Sequence, residues 1–419
     1  MCTLTEIAEG ILARAKKLDA HTASVGLPST HFFYDTLTDL PEEIEEERKA
    51  LVNATQDLKR LALGPVGTLL ETLFTFTDLQ SLRFIYNHNI PAHVPLDGDI
   101  SFSTIAKSAG VDEVLLRRFL QHAMINRIFA ETRPGYVRHT AASRILRQDS
   151  EAMDTIGFLV EDLAPASLKV NEAHQKWPNS GEPNETGFNI ENKTDDSFYI
   201  ELAKTPERAR RFGGGMRFMT RGSLYDINHL IHGYDWKSIN EVGGTVVDVG
   251  GGQGGVSMAL AKEFPNLNLI VQDLPGTAEE GERLLPKALK GQVSFMGHDF
   301  FQEQPIKDAD VYFFRFIFHN WSDKYSIQLL KNLIPAMKDG SRVVIYEFLP
   351  DVVANTKWTE KQKRNLDMIQ ALGWNSLERT TPDWVNLFTS ADKRLKLLGT
   401  RTPKGSSVSI IEAVFRRNS

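Results

Sequence analysis

At 419 residues with 41% hydrophobic content, the chain is too long for one average domain and has material for two packed cores. A net charge of -6 with scattered Lys and Arg offers no electrostatic footprint for nucleic acid or an anionic membrane, which points to a small-molecule partner. The single cysteine, Cys2, excludes an internal disulfide framework and a cysteine-based zinc site; with no secretory signal pattern at the start and no apolar stretch of membrane-spanning length, a soluble, cytoplasmic protein is expected.

From about residue 5 to 90 apolar residues recur at helical spacing, interrupted at Gly26 to Pro28 and at Gly64-Pro65, which predicts a helical amino-terminal region. Residues 100–148 read as short helices, a turn at Pro134-Gly135, then strand and loop through YVRHTAASRIL, and a winged-helix module fits this pattern. Such modules commonly bind DNA, but the helix VDEVLLRRFLQHAM offers only Arg117 and Arg118 together, and its leucines suit packing. Residues 174–196, rich in Pro, Asn and Gly, read as a long loop of the kind that covers sites. Beyond Trp236 the runs TVVDV, LNLIVQDL, VSFMGHD, DVYFFRFIF, SRVVIYEF and SVSIIEAVF alternate with helix-like segments. That is the pattern of an α/β fold with a doubly wound, mostly parallel sheet. The expected divisions are 1–150, helical and winged-helix; 151–240, a helical linker and substrate-lid region; and 241–419, Rossmann-like.

The first strand runs into DVGGGQGGVSMALAKEF, a glycine-rich turn leading to a helix that starts near Val256. Gly250, Gly252 and Gly255 satisfy the three-glycine dinucleotide pattern, which simple strand-to-helix turns also satisfy. Asp273 ends the next strand, where a carboxylate can accept both ribose hydroxyl protons of an adenosine-bearing ligand. Asp299 and Phe300 follow a third, where a carboxylate can take an adenine amino group while a ring covers its face. Asp248 beside the glycines would repel a pyrophosphate and suit a sulfonium or amino group, so the charge pattern favours S-adenosylmethionine over NAD. His319 follows the fourth predicted strand, which in such a sheet lies beside the first, at the switch where ligands bind.

With DVGGGQG, LIVQDLP, GHDFF and FRFIFHNWSD in this order, the sequence resembles the plant- and fungal-type small-molecule O-methyltransferases, more closely the fungal secondary-metabolism branch. The resemblance covers nearly the whole chain: Ile100 to Leu146 looks like that family's winged-helix dimerisation domain, and RRFGGGMRFMTRG like its helix leading toward the substrate cavity. It implies that Gly250 and Gly251 contact the methionine part of the cofactor, Asp273 the ribose, Asp299 and Phe300 the adenine, and Arg315 a further position. It implies His319 as catalytic base, within HNWSD where the family has His-Asp-Trp-Ser-Asp. Asn320 in place of Asp removes a charge that would support the imidazolium. Glu347 and Glu378 match the two glutamates that orient this His and support its ring, and their alternative is surface salt bridging. Met216, Met368 and Trp374 match substrate-wall positions, though such residues at helical spacing equally serve as core. The resemblance further implies a homodimer and no metal; His229 and His232, spaced i, i+3, lack a third ligand.

The function implied is S-adenosylmethionine-dependent methylation of a phenolic or enolic hydroxyl on a small secondary metabolite such as an aromatic polyketide. Some fungal proteins with this resemblance keep the cofactor yet catalyse dehydration or pericyclic ring formation, with the sulfonium as a fixed charge. A regulatory protein built on a dead methyltransferase domain would show damaged cofactor residues, and those are intact.

Overall fold

In the computed structural model residues 3–417 are described, apart from 36, 38 and 39, so Cys2 lies outside the described residues. The chain divides into two compact units, one of residues 1–169 with 199–221 and the other of residues 170–198 with 222–419. The stretch 151–240 is thus shared between them. Helix Pro206–Met219 belongs with the first unit, where Arg210 pairs with Asp154 of helix Ser150–Gly157 at 2.7 Å.

The first unit begins with helix Leu4–Ser24, opened by a reciprocal Thr3–Glu6 capping box. Helix Glu42–Leu73 kinks at Gly64, whose φ of +69° is left-handed, just before Pro65, which has no N–H to donate. Helix Thr75–Asn87 follows. A compact core of Phe102, Ile105, Leu116, Leu120, Phe129 and Val137 then joins helices Phe102–Ala109 and Glu113–Ile125 to a three-stranded antiparallel sheet. Its strands, β1 (Ile100–Ser101), β2 (Ala130–Arg133) and β3 (Tyr136–Arg138), lie in the order β1-β3-β2. Arg117 pairs with Glu113 at 2.7 Å and covers the Phe102 ring, so it is held within its own unit. The segment expected to be loop after β3 is instead a helix, Ala141–Gln148. Thr140 and Ser143 cap it reciprocally, a cap the sequence hides because Ser rather than Glu stands at the third helical position.

The second unit is built on seven strands: β4 (Thr245–Val249), β5 (Asn268–Asp273), β6 (Val293–Gly297), β7 (Val311–Arg315), β8 (Arg342–Glu347), β9 (Leu395–Arg401) and β10 (Ser409–Phe415). They lie in the order β6-β5-β4-β7-β8-β10-β9, with β4 to β8 parallel and β10 antiparallel to both β8 and β9. Each central strand is apolar on both faces because each face carries a core. Val311 and Phe313 of β7 join Val246, Leu260 and Trp236, whereas Tyr312 and Phe314 join Val247, Leu330 and Trp384. β9 escaped the sequence reading because it is an edge strand whose exposed positions interrupt its apolar run. The expected long loop at 174–196 is shorter than predicted. Helices Val170–Lys176 and Gly187–Asn192 occupy its ends, and the second is capped by a Thr186–Asn189 box. No helix among the described residues is long and apolar enough to cross a membrane.

Because β4 has β5 on one side and β7 on the other, the turns leaving β4 and β7 emerge side by side at the carboxyl edge of the sheet. This switch point brings the glycine turn next to the His319 turn.

Candidate active site

The turn after β4 approaches β5 closely: the N–H groups of Gly250 and Gly251 both donate to Gln272 O, at 2.8 and 3.0 Å. Gly250 has φ +73°, and a Cβ there would lie 2.4 Å from Ile317 Cδ1, so only glycine fits between the two turns. A Cβ on Gly251 would meet Asp248 Cγ at 2.7 Å. Asp248 itself is buried beneath the turn and accepts a hydrogen bond from Ser257 Oγ at 2.7 Å. Burial pushes its carboxyl up to about 6, against the pull of Ser257 and Arg315. The carboxylate expected to face a cation is therefore engaged with the start of helix Gly255–Glu263, one residue ahead of the expected start.

Asp273 ends β5 with Oδ2 accepting the Gly252 N–H at 2.9 Å and Oδ1 accepting the Leu274 N–H at 2.8 Å, so its carboxylate is tied to the glycine turn. Asp299 is exposed and accepts the Phe301 N–H at 2.9 Å. The half-buried Phe300 ring stands beside Gly250, 3.9 Å from where a Cβ would be. Arg315 closes β7 with its guanidinium 5.0 Å over the Phe316 ring, and its Nε is buried without a hydrogen-bond partner among the described residues. Five of the expected cofactor residues, Gly250, Gly251, Asp273, Phe300 and Arg315, thus surround or adjoin one turn. They form a Cβ-free cradle with a carboxylate, a ring and an orphaned cationic donor, a set that fits an adenosine-bearing group.

Beyond β7, Phe316 takes a left-handed φ of +53° and the chain tightens into a 3-10 turn, Phe318–Asn320. Asn320 closes it by donating its amide to Phe316 O at 3.0 Å. Glu347, at the end of neighbouring β8, accepts three successive main-chain N–H groups with one oxygen: Ile317 at 2.8 Å, Phe318 at 2.6 Å and His319 at 3.3 Å. Glu347 thus orients the turn's main chain and supports the imidazole by charge rather than by a hydrogen bond to the ring. The register pairs Arg315 with Tyr346, which sets Glu347 under the turn's backbone rather than at the ring. Burial raises the Glu347 carboxyl above the usual range, and Glu378 adds to this, while His319 and Arg379 oppose it.

The ring is held by Glu378, whose Oε1 lies 2.9 Å from His319 Nδ1. Burial works against the imidazolium, but Glu378, by charge and hydrogen bond, and Glu347, by charge, outweigh it and hold His319 above its ordinary pKa; Arg379 pulls the other way. Accepting the Nδ1 proton leaves Nε2 as the ring's acceptor nitrogen, and Nε2 has no partner among the described residues. Three residues unread in the sequence complete the frame. Gln370 Nε2 lies 3.3 Å from Nδ1, Ser376 Oγ donates to His319 O at 2.6 Å, and Arg379 is buried beneath the turn. Arg379 stands directly after Glu378 in LERTTPDW, but only its burial marks it out.

The expected substrate-wall residues are not brought together within one unit. Met216 is half-buried on helix Pro206–Met219 of the first unit. Met368 and Trp374 share helix Trp358–Trp374 of the second, where Met368 is 60% exposed and Trp374, 4% exposed, packs its ring 4.5 Å from Phe198.

A family model described as an O-methyltransferase domain matches residues 199–393. Chlorophenol O-methyltransferase of Trichoderma longibrachiatum is 37% identical over 417 residues, covering 98% of this chain and 89% of that protein. Among solved structures, OxaC matches with a TM-score of 0.76 at 20% identity over 99% of each chain. LepI in complex with SAM matches with a TM-score of 0.72 at 20% identity, over 98% of this chain and 100% of that one. At such identity these two speak for the fold alone, whereas the relative, similar along almost its whole length, speaks for kinship. The chain belongs to the S-adenosylmethionine-dependent O-methyltransferase family.

Proposed function

We propose that this protein methylates a phenolic or enolic hydroxyl of a small secondary metabolite, such as an aromatic polyketide, with His319 as general base. The observation that carries this reading is the His319 ring, held at Nδ1 by Glu378 at 2.9 Å with Nε2 left as acceptor at the carboxyl edge of the sheet. A phenol of pKa about 10 costs roughly 4 kcal/mol to ionise at pH 7. Nε2 takes that proton, and the positive charge that develops on the ring is met by Glu378. A positioned base of this kind contributes on the order of 100- to 10,000-fold. Glu347 holds the turn's main chain and so the place from which the ring projects.

The cofactor is held, in this reading, by the Gly250–Gly251 backbone, with Asp273 toward the ribose, Asp299 and Phe300 at the adenine, and Arg315 supplying an Nε donor that no described residue engages. When bound, S-adenosylmethionine supplies an electrophilic methyl group on a cationic sulfur. Met216, Met368 and Trp374 are offered as substrate-wall residues by their match to the family's positions. The amino-terminal unit is read as a winged-helix dimerisation domain of a homodimer. This is supported by the exposed apolar residues Leu69, Leu70, Leu73, Phe74 and Phe76 on two consecutive helices and their junction, and sedimentation equilibrium tests it.

The test of function is transfer of isotope-labelled methyl from S-adenosylmethionine into a panel of phenols, wild type against His319→Ala. Labelled product that falls by about 100-fold or more in the variant is expected. A wild-type protein that binds the cofactor and labels nothing, while dehydrating or isomerising a component of a metabolite extract, overturns the reading in favour of dehydration or pericyclic chemistry.

A further inference from the structure

We propose that Arg379 is a positioning residue for the proton-transfer step: its guanidinium ties together the main-chain carbonyls on either side of His319 and so sets where the imidazole points. The proposal rests on the reading of His319 as base.

Arg379 is 1% exposed. Nη1 donates to Phe318 O at 2.9 Å and Nη2 to Trp321 O at 2.8 Å, the two carbonyls that bracket His319 and Asn320. Nη2 also reaches Ser326 Oγ at 3.1 Å, and Nε donates to Asp323 Oδ1 at 2.9 Å. The guanidinium carbon lies 5.5 Å from the centroid of the buried Trp384 ring. One planar fork thus spans both ends of a turn whose own hydrogen bond, Trp321 N–H to Phe318 O at 3.1 Å, leaves these carbonyls room for further donors. A lysine ammonium, with three donors radiating from one point, cannot reach this set.

The position also matters for charge. Glu378 and Gln370 face the His319 ring, Glu347 lies under its main chain from β8, and the Phe316 ring stands 5.5 Å away. Among these groups Arg379 is the buried cation, while its partner Asp323 is 61% exposed and solvated. Arg379 therefore opposes, by charge, the pull of the two glutamates on the His319 proton.

The experiment compares the full-length wild type with Arg379→Lys and Arg379→Gln, reading kcat, KM and the pH profile with a phenolic acceptor. The His319 titration is followed by NMR on isotope-labelled histidine, its signal identified by loss in His319→Gln. Arg379→Lys is expected to lower kcat on the order of tenfold, with KM and the low-pH limb unchanged, because charge is kept and alignment lost. Arg379→Gln is expected to lower kcat and to move both the limb and the His319 titration to higher pH. Wild-type kcat in the lysine variant, or an unmoved titration in the glutamine variant, overturns the proposal. Should either fail to fold by near-ultraviolet circular dichroism, Asp323→Ala frees one edge of the guanidinium from an exposed position; kcat about threefold lower at constant KM is expected, and an unchanged kcat overturns the proposal. If His319→Ala stays fully active, the base assignment fails while the NMR titration still reads the effect of Arg379. If His319→Ala is inactive and the Arg379 variants match wild type, positioning alone fails.

Discussion

Replacing Glu378 by Gln removes the carboxylate that touches the His319 ring while keeping its size. The Nδ1 to Oε1 distance is 2.9 Å, and the side chains are 14% and 1% exposed, so little solvent screens the pair. A hydrogen bond to a charged group contributes about 1.5–3 kcal/mol, which corresponds to a fall of about one to two pKa units for the imidazolium. Neutral imidazole is the active form, so activity rises with pH through the His319 pKa, and lowering that pKa moves the limb toward acid. An amide can also present its NH2 to Nδ1, which favours the tautomer with the proton on Nε2 and disables the base. The net expectation is kcat lower by about 100- to 10,000-fold, with the residual activity showing the acid-shifted limb. Linkage adds a stability signature. Because His319 is raised in the folded state, its protonation stabilises the fold fully below its unfolded pKa of about 6.5, and this contribution fades as pH rises through the folded value. The variant loses that window, so its melting temperature differs from wild type more at low pH than at high pH. Initial rates of labelled methyl transfer across pH, paired with thermal melts, test both. A Glu378→Gln enzyme with wild-type kcat and an unmoved limb refutes the assignment.

Gly250→Ala places a methyl 2.4 Å from Ile317 Cδ1 at a left-handed φ, which costs about 1–2 kcal/mol in backbone strain alone. Cofactor affinity measured by calorimetry is expected to fall at least about tenfold, and unchanged affinity would remove the glycine cradle from the site. Glu347→Ala leaves three main-chain N–H groups of the His319 turn without their acceptor. At about 1–3 kcal/mol for an unsatisfied buried group, a drop of several degrees in melting temperature is expected, together with lost kcat. A variant that melts normally yet loses kcat would return Glu347 to the ring-facing role expected from sequence.

How much of this was legible beforehand depended on where each residue's constraint lies. The inner strands β4, β5, β7, β8 and β10 stood out because a sheet covered on both faces demands apolar runs, a demand that edge strand β9 does not carry; the other edge strand, β6, was legible from its run VSFMG. The glycine turn was legible because left-handed backbone and close approach exclude side chains, a local requirement written into local sequence. Glu347 was correctly placed at a strand end, but the β7–β8 register decided that it hydrogen-bonds the backbone of the turn and acts on the ring by charge alone. Glu378 lies 59 positions from His319, and Met368 and Trp374 share a helix yet face solvent and core, respectively. The sequence by itself determined the sheet, the glycine turn and the carboxylates at its edge, because periodicity and backbone sterics act over a few residues. Only the tertiary structure decided which carboxylate meets the imidazole and that Arg379 is buried beneath it, because hydrogen bonding and desolvation act across space between segments that the chain order keeps apart.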